Sequence, residues 1–143
     1  MGWARWKFAE RQTAELLGGT RRIRITYSES VEDVIHDKYA VEVKQGKQIP
    51  LYCRVLSPVA YYYPDGTVYV VFPSKYLWML EENCYLPLKR KCCKFIEAGL
   101  SQAHSYDPKK VPLLAMKSPN MSGVVFAMYY LDWMNPESLG HPQ

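Results

Sequence analysis

The chain has 143 residues, 48% hydrophobic, 22% charged and 14% aromatic, and its 18 Lys and Arg against 14 Asp and Glu give a net charge of +4. That balance excludes a disordered, collagen-like or coiled-coil chain and describes one folded domain over residues 1–143. No apolar run approaches the ~20 residues of a membrane-spanning helix, and Met1 to Lys7 lack a secretory apolar core, so the expectation is a cytoplasmic protein with no membrane partner, in the host cytoplasm if viral.

Residues 3–17 read as a helix, with Trp6, Ala9, Thr13 and Leu16 at helical spacing and Gly18-Gly19 as the stop. Arg22 to Thr26 alternates charged and apolar residues as a strand does. Val31 to Ile35 is a second strand, His36-Asp37-Lys38 a turn, and Tyr39 to Gln45 a third strand rich in β-branched residues. From Ile49 to about Pro87 the chain turns aromatic, prolyl and strand-like. Tyr61-Tyr62-Tyr63, Pro64-Asp65-Gly66 and Thr67 to Phe72 form a hairpin in which Gly66 supplies a positive φ. Lys75 to Glu82 reads as a short helix.

Residues 89–105 form a second long helix with the apolar stripe Cys93, Ile96, Leu100 and Ala103, ended by Asp107-Pro108. Leu113 to Lys117 and Gly123 to Tyr130 are strands joined by a loop over Ser118 to Ser122, and the tail from Asn135 frays. Val70-Val71-Phe72 and Val124-Val125-Phe126 echo one another, each followed by a Tyr-Leu pair. This is coincidence or a small duplicated element that augments the sheet.

Cys53, Cys84, Cys92 and Cys93 are expected to stay reduced and to pack as small hydrophobes. They lack the paired spacing of a zinc site, although Cys84, Cys92, Cys93 and His104 are the set such an ion would draw together. Two basic clusters stand out: Arg21, Arg22 and Arg24, then Lys89, Arg90, Lys91 and Lys94. They suit phosphate neutralisation or a solvated face.

The chemistry-bearing segment runs from Glu32-Asp33-Val34 to Tyr39-Ala40-Val41-Glu42-Val43-Lys44. Residues two apart on a strand share a face, so Glu42 and Lys44 point one way and Val41 and Val43 the other. Asp33, on the preceding strand of a tight hairpin, is expected opposite Glu42. Two carboxylates and an amine on one spot are what metal-assisted phosphodiester hydrolysis uses. Taken alone, the same spacing also suits a salt-bridged hairpin surface.

The order of these segments resembles the PD-(D/E)xK nuclease superfamily, and most closely the Holliday junction resolvases of archaea and phages. Phe8-Ala9-Glu10-Arg11 through Gly18-Gly19 is similar to the family's opening helix. Glu32-Asp33-Val34 stands at its P-D or G-D motif, with Glu32 in place of Pro or Gly. Ala40-Val41-Glu42-Val43-Lys44 matches its A-V-E-x-K strand. Ser101-Gln102-Ala103 sits at its polar position on the next helix, and Lys109 to Leu114 matches the exit into the terminal hairpin. The resemblance covers residues 5–48 and 93–134.

It implies an α/β fold, a restriction-endonuclease-like mixed central sheet flanked by helices with an inserted β-hairpin unit. The core would span 3–48 and 91–134, the insertion about 50–90 and a frayed tail 135–143. It also implies a Mg²⁺- or Mn²⁺-dependent endonuclease acting on branched or four-way DNA as a homodimer. Asp33, Glu42 and Glu10, with the Val43 carbonyl, would hold the metal. Lys44 would position or polarise the attacking water, and Gln102 would contact that water or the scissile phosphate. Arg21, Arg22, Arg24, Lys47, Lys94 and Lys117 are the candidate DNA contacts. Residues 50–90 would build a dimer contact, a wedge against unpaired bases or extra core. A restriction- or repair-type nuclease on linear or nicked duplex, and an inactive DNA-binding module of the same fold, are the alternatives.

Overall fold

Alternation along the strands decides the layers. In the computed structural model, which describes residues 11–17, 20–21, 34–45, 59–62, 65–73, 85–87, 90–117 and 123–134, neighbouring strand residues fall into two separate apolar cores on opposite faces of one sheet. The strands are β1 (Thr20–Arg21), β2 (Val34–Ile35), β3 (Tyr39–Gln45), β4 (Val59–Tyr62), β5 (Val68–Pro73), β6 (Tyr85–Pro87), β7 (Val111–Lys117) and β8 (Val125–Tyr129). The helices are α1 (11–17), α2 (Arg90–Tyr106) and α3 (Tyr130–Trp133).

On one face Tyr69, Val71, Leu114, Met116, Val125 and Ala127 close against Cys92, Cys93, Ile96 and Leu100 of α2. On the other, Val34, Val41, Val70, Phe72, Leu113, Ala115, Phe126 and Met128 close against Ala14 of α1 and Trp133 of α3. The described residues therefore form an α/β fold, a mixed sheet with helices on both faces. Tyr39, on the second face, is buried, and that burial pushes its hydroxyl pKa up.

The strand order is β1-β2-β3-β7-β8-β5-β4-β6. β1, β2 and β3 pair antiparallel. β3 and β7 pair parallel from Tyr39↔Val111 to Gln45↔Lys117. A parallel pair needs a crossover, and α2 lies within it. Both strands are covered on both sides, so Leu113, Leu114, Ala115 and Met116 read as a continuous apolar run. Pro112 is tolerated in this central strand because the β7–β8 pairing begins only at Leu114.

The stretch expected as an inserted hairpin unit is part of this sheet. β5 pairs with β4 on one side and β8 on the other, and its residues enter both cores. Gly66 takes the expected positive φ, 92°, in the turn between β4 and β5, where Asp65 Oδ1 accepts from the Thr67 amide at 2.9 Å. The echo between the two V-V-F segments is a contact: Phe72 and Phe126 are register partners with ring centroids 5.7 Å apart. The expected strand at 22–26, helix at 75–82 and tail at 135–143 lie outside the described residues, apart from the two residues of β1 that precede the first.

The cysteine expectation needs a correction. Cys92 is in a disulfide. Cysteine spacing along the chain does not say which sulfurs lie close, and it is that geometry that admits a bond. Cys93 is a buried thiol, its pKa raised by burial and then by Asp65. Alkylation of the denatured, unreduced chain is expected to leave Cys92 unmodified, and to consume all four cysteines after reduction. Four without reductant would refute the bond.

His36 ties α1 to the turn between β2 and β3. The Lys38 amide donates to Nδ1 at 3.0 Å, so the ring proton sits on Nε2 and is donated to the Leu17 carbonyl at 3.0 Å. Burial lowers the His36 pKa from 6.5, with Lys110 and Lys38 adding to that and the Leu17 bond and Asp37 opposing it. Folding therefore favours the neutral ring. Its contribution is full above the unfolded pKa and is lost as pH falls through that value toward the folded one. In urea melts at about pH 7.5 and about pH 5, His36→Gln is expected to lose more stability at the higher pH. An equal loss at both would contradict the preference of the fold for the neutral ring.

Candidate active site

β3 carries the site residues because its alternation buries valines on one face. Val41 packs with the α1 and α3 side and Val43 lies against it, which turns Glu42 and Lys44 to the α2 side. Glu42 is 4% exposed, and a carboxylate so buried must be hydrogen-bonded. The Tyr106 hydroxyl, on the last turn of α2 and 64 residues away in sequence, donates to Glu42 Oε2 at 2.5 Å. Gln102 Nε2 in turn donates to the Tyr106 hydroxyl at 3.0 Å. Two of the expected residues, Glu42 and Gln102, are thus joined through a third that the sequence reading did not single out.

Close approach of α2 to the sheet makes this reach. A Cβ at Gly99 would stand 2.7 Å from Leu114 Cδ1, and Leu114 is the register partner of Glu42. Gly99 therefore lets α2 sit directly over β7. Beyond Tyr106 the chain turns at once, with the Lys109 amide on Asp107 Oδ1 at 3.1 Å and the Lys110 amide on the Asp107 carbonyl at 3.0 Å.

A second carboxylate fastens the opposite flank of α2. Glu97 accepts from the Tyr69 hydroxyl, from the Tyr129 hydroxyl at 2.9 Å and from Ser101 at 3.3 Å. Burial and then Glu97 raise the pKa of both tyrosines, so they remain donors across the working range. Burial raises the Asp132 pKa, opposed by His104.

Of the other expected site residues, Lys44 is half-buried at the far end of β3 and Lys94 is exposed on α2. Lys117, half-buried, alternates to the α1 and α3 face with Ala115, away from Lys44. Arg21 lies in β1 by its backbone. Glu10, Arg22, Arg24, Asp33 and Lys47 lie outside the described residues. Among the described residues no three His, Cys, Asp or Glu side chains gather as a metal site, and no helix is long and apolar enough to cross a membrane.

Comparison with known proteins finds no matching family model, no similar curated protein and no similar solved structure.

Proposed function

We propose that the protein is a Mg²⁺- or Mn²⁺-dependent endonuclease of restriction-endonuclease-like fold that cuts branched DNA, four-way junctions foremost. The observation that carries this reading is the placement of Glu42 and Lys44 on one face of β3, with Glu42 held by a side chain of the following helix. The element order agrees with it in part: a helix and three antiparallel strands come first, and after β4, β5 and β6 a crossover helix leads into a strand parallel to β3.

The donor types would suit a hard divalent ion. A carboxylate from Glu42 and the carbonyl of Val43 are oxygen ligands of the kind Mg²⁺ takes. The antiparallel register that pairs Val34 with Val41 is the one that would set Asp33 opposite Glu42, so Asp33 would add a second carboxylate to the set. Such an ion supplies charge stabilisation at the phosphate and a more acidic water. Lys44 would orient that water or offset the charge that develops on the phosphate. Arg21, Arg22, Arg24, Lys47 and Lys94 would take DNA phosphates, whereas Lys117 faces away from Lys44 and is left out of that set. A symmetric homodimer would place two nicks across one junction.

The burial of Glu42 beneath Tyr106 favours one second reading, a module of the same fold that binds DNA and uses Glu42 only to tie strand to helix. The test is a nicking assay with Mg²⁺ on a synthetic four-way junction beside a linear duplex of the same arms. Cutting of the junction alone is expected. Equal cutting of both would turn the assignment to a restriction- or repair-type nuclease. Tight binding with no cutting of either would favour the inactive module.

A further inference from the structure

We infer that Tyr106 is a positioning residue for Glu42, so that the last turn of α2 belongs to the site; this rests on the nuclease reading. The hydroxyl has a direction. Gln102, one helical turn earlier, donates to it at 3.0 Å, which leaves its proton for Glu42 Oε2. A bond from a neutral donor to a carboxylate is among the stronger protein hydrogen bonds, and here it compensates a carboxylate that has lost its water.

The placement does not arise from core packing alone. The buried residues of α2 are Cys92, Cys93, Ile96, Gly99, Leu100 and Ala103. Gln102 and Tyr106 lie on the flank of that stripe toward β3, and Gln102 is exposed. The opposite flank already has its own fastening at Glu97, where Tyr69 and Tyr129 donate from β5 and β8. There the carboxylate is on the helix and the tyrosines are on the sheet. At Glu42 the roles are exchanged, and the carboxylate is the strand residue that shares a face with Lys44. A tie needed only to hold α2 down is therefore present without Tyr106. What Tyr106 adds is a fixed orientation for the Glu42 carboxylate, which is how groups behind a metal ligand act.

The variant is Tyr106→Phe, which removes one oxygen and keeps the ring. Mn²⁺ alone is titrated into wild type and variant by calorimetry without DNA. Junction cleavage is then followed against Mg²⁺ concentration, with the thermal midpoint of each protein. Expected are a Mn²⁺ affinity weaker by about 10- to 100-fold, slow cutting at low Mg²⁺ that recovers at high Mg²⁺, and unchanged metal-free junction binding. Gln102→Ala is expected to shift the metal dependence the same way by less. Equal Mn²⁺ affinity in wild type and Tyr106→Phe, with only a lower midpoint, would overturn the inference and make the bond a structural tie. Faster cutting by the variant would overturn it too, because Tyr106 would then be a cover. A wild type that binds Mn²⁺ and never cuts would overturn the nuclease reading, and the Mn²⁺ comparison would still decide Tyr106. No Mn²⁺ binding by wild type would overturn both.

Discussion

Glu42→Gln is expected to lower the single-turnover rate of junction cleavage by roughly a thousandfold. A metal-held nucleophile is worth several kcal/mol at the transition state, and ~1.4 kcal/mol is tenfold in rate. The substitution keeps the shape of the side chain, and the amide oxygen can still accept from Tyr106. The fold should therefore survive, and junction binding without metal should hold or tighten as a charge near the phosphates is lost. Lys44→Ala should also cut poorly with only modestly weaker binding. Lys94→Ala should show the reverse, weaker and more salt-sensitive binding with near-normal cutting at saturation. Gel-shift affinity beside the single-turnover rate separates these cases. Near-wild-type cutting by Glu42→Gln would reduce the E-x-K strand to a tie between β3 and α2.

Phe72→Ala is expected to cost about 3–5 kcal/mol in urea denaturation, the range for truncating a buried phenylalanine. Phe72 is fully buried on β5. Its ring lies 5.7 Å from that of Phe126 and 4.6 Å from that of Trp133, so it joins β5, β8 and α3. The expectation follows from β5 lying inside the sheet between β4 and β8. A loss below about 1 kcal/mol, the scale of a tolerant surface site, would mean that residues 50–90 are an appendage.

Local pattern made β3 and α2 legible. Tyr39 to Gln45 matches the strand residue for residue, and α2 differs from its expected span by one residue at each end. Tyr39, Val41 and Val43 at period two, and an apolar stripe at 3.6, both carry their information within a few residues. The positive φ of Gly66 was legible for the same reason. The rest is long-range. Nothing near Phe72 in sequence says that it pairs with Phe126, and β6, three residues ending in Pro87, is too short to show a period. The Cys92 disulfide depends on which sulfur lies near it.

Of the candidate site, Glu42 and Lys44 stood out by type and spacing and Gln102 by the family resemblance, but Tyr106 did not. Its signal was present in the i, i+4 pair Gln102–Tyr106, a polar pair beside an apolar stripe. What linked that pair to Glu42 was the close passage of α2 over β7, which hangs on the missing side chain of Gly99.

The most direct measurement is single-turnover cleavage of a four-way junction by the wild-type protein, once with Mg²⁺ and once with excess chelator. Paired nicks across the junction with Mg²⁺ and none with chelator are the expected result. Undiminished cutting in chelator, or bound junction left uncut at saturating Mg²⁺, would contradict the assignment of Glu42 and Lys44 to phosphodiester hydrolysis.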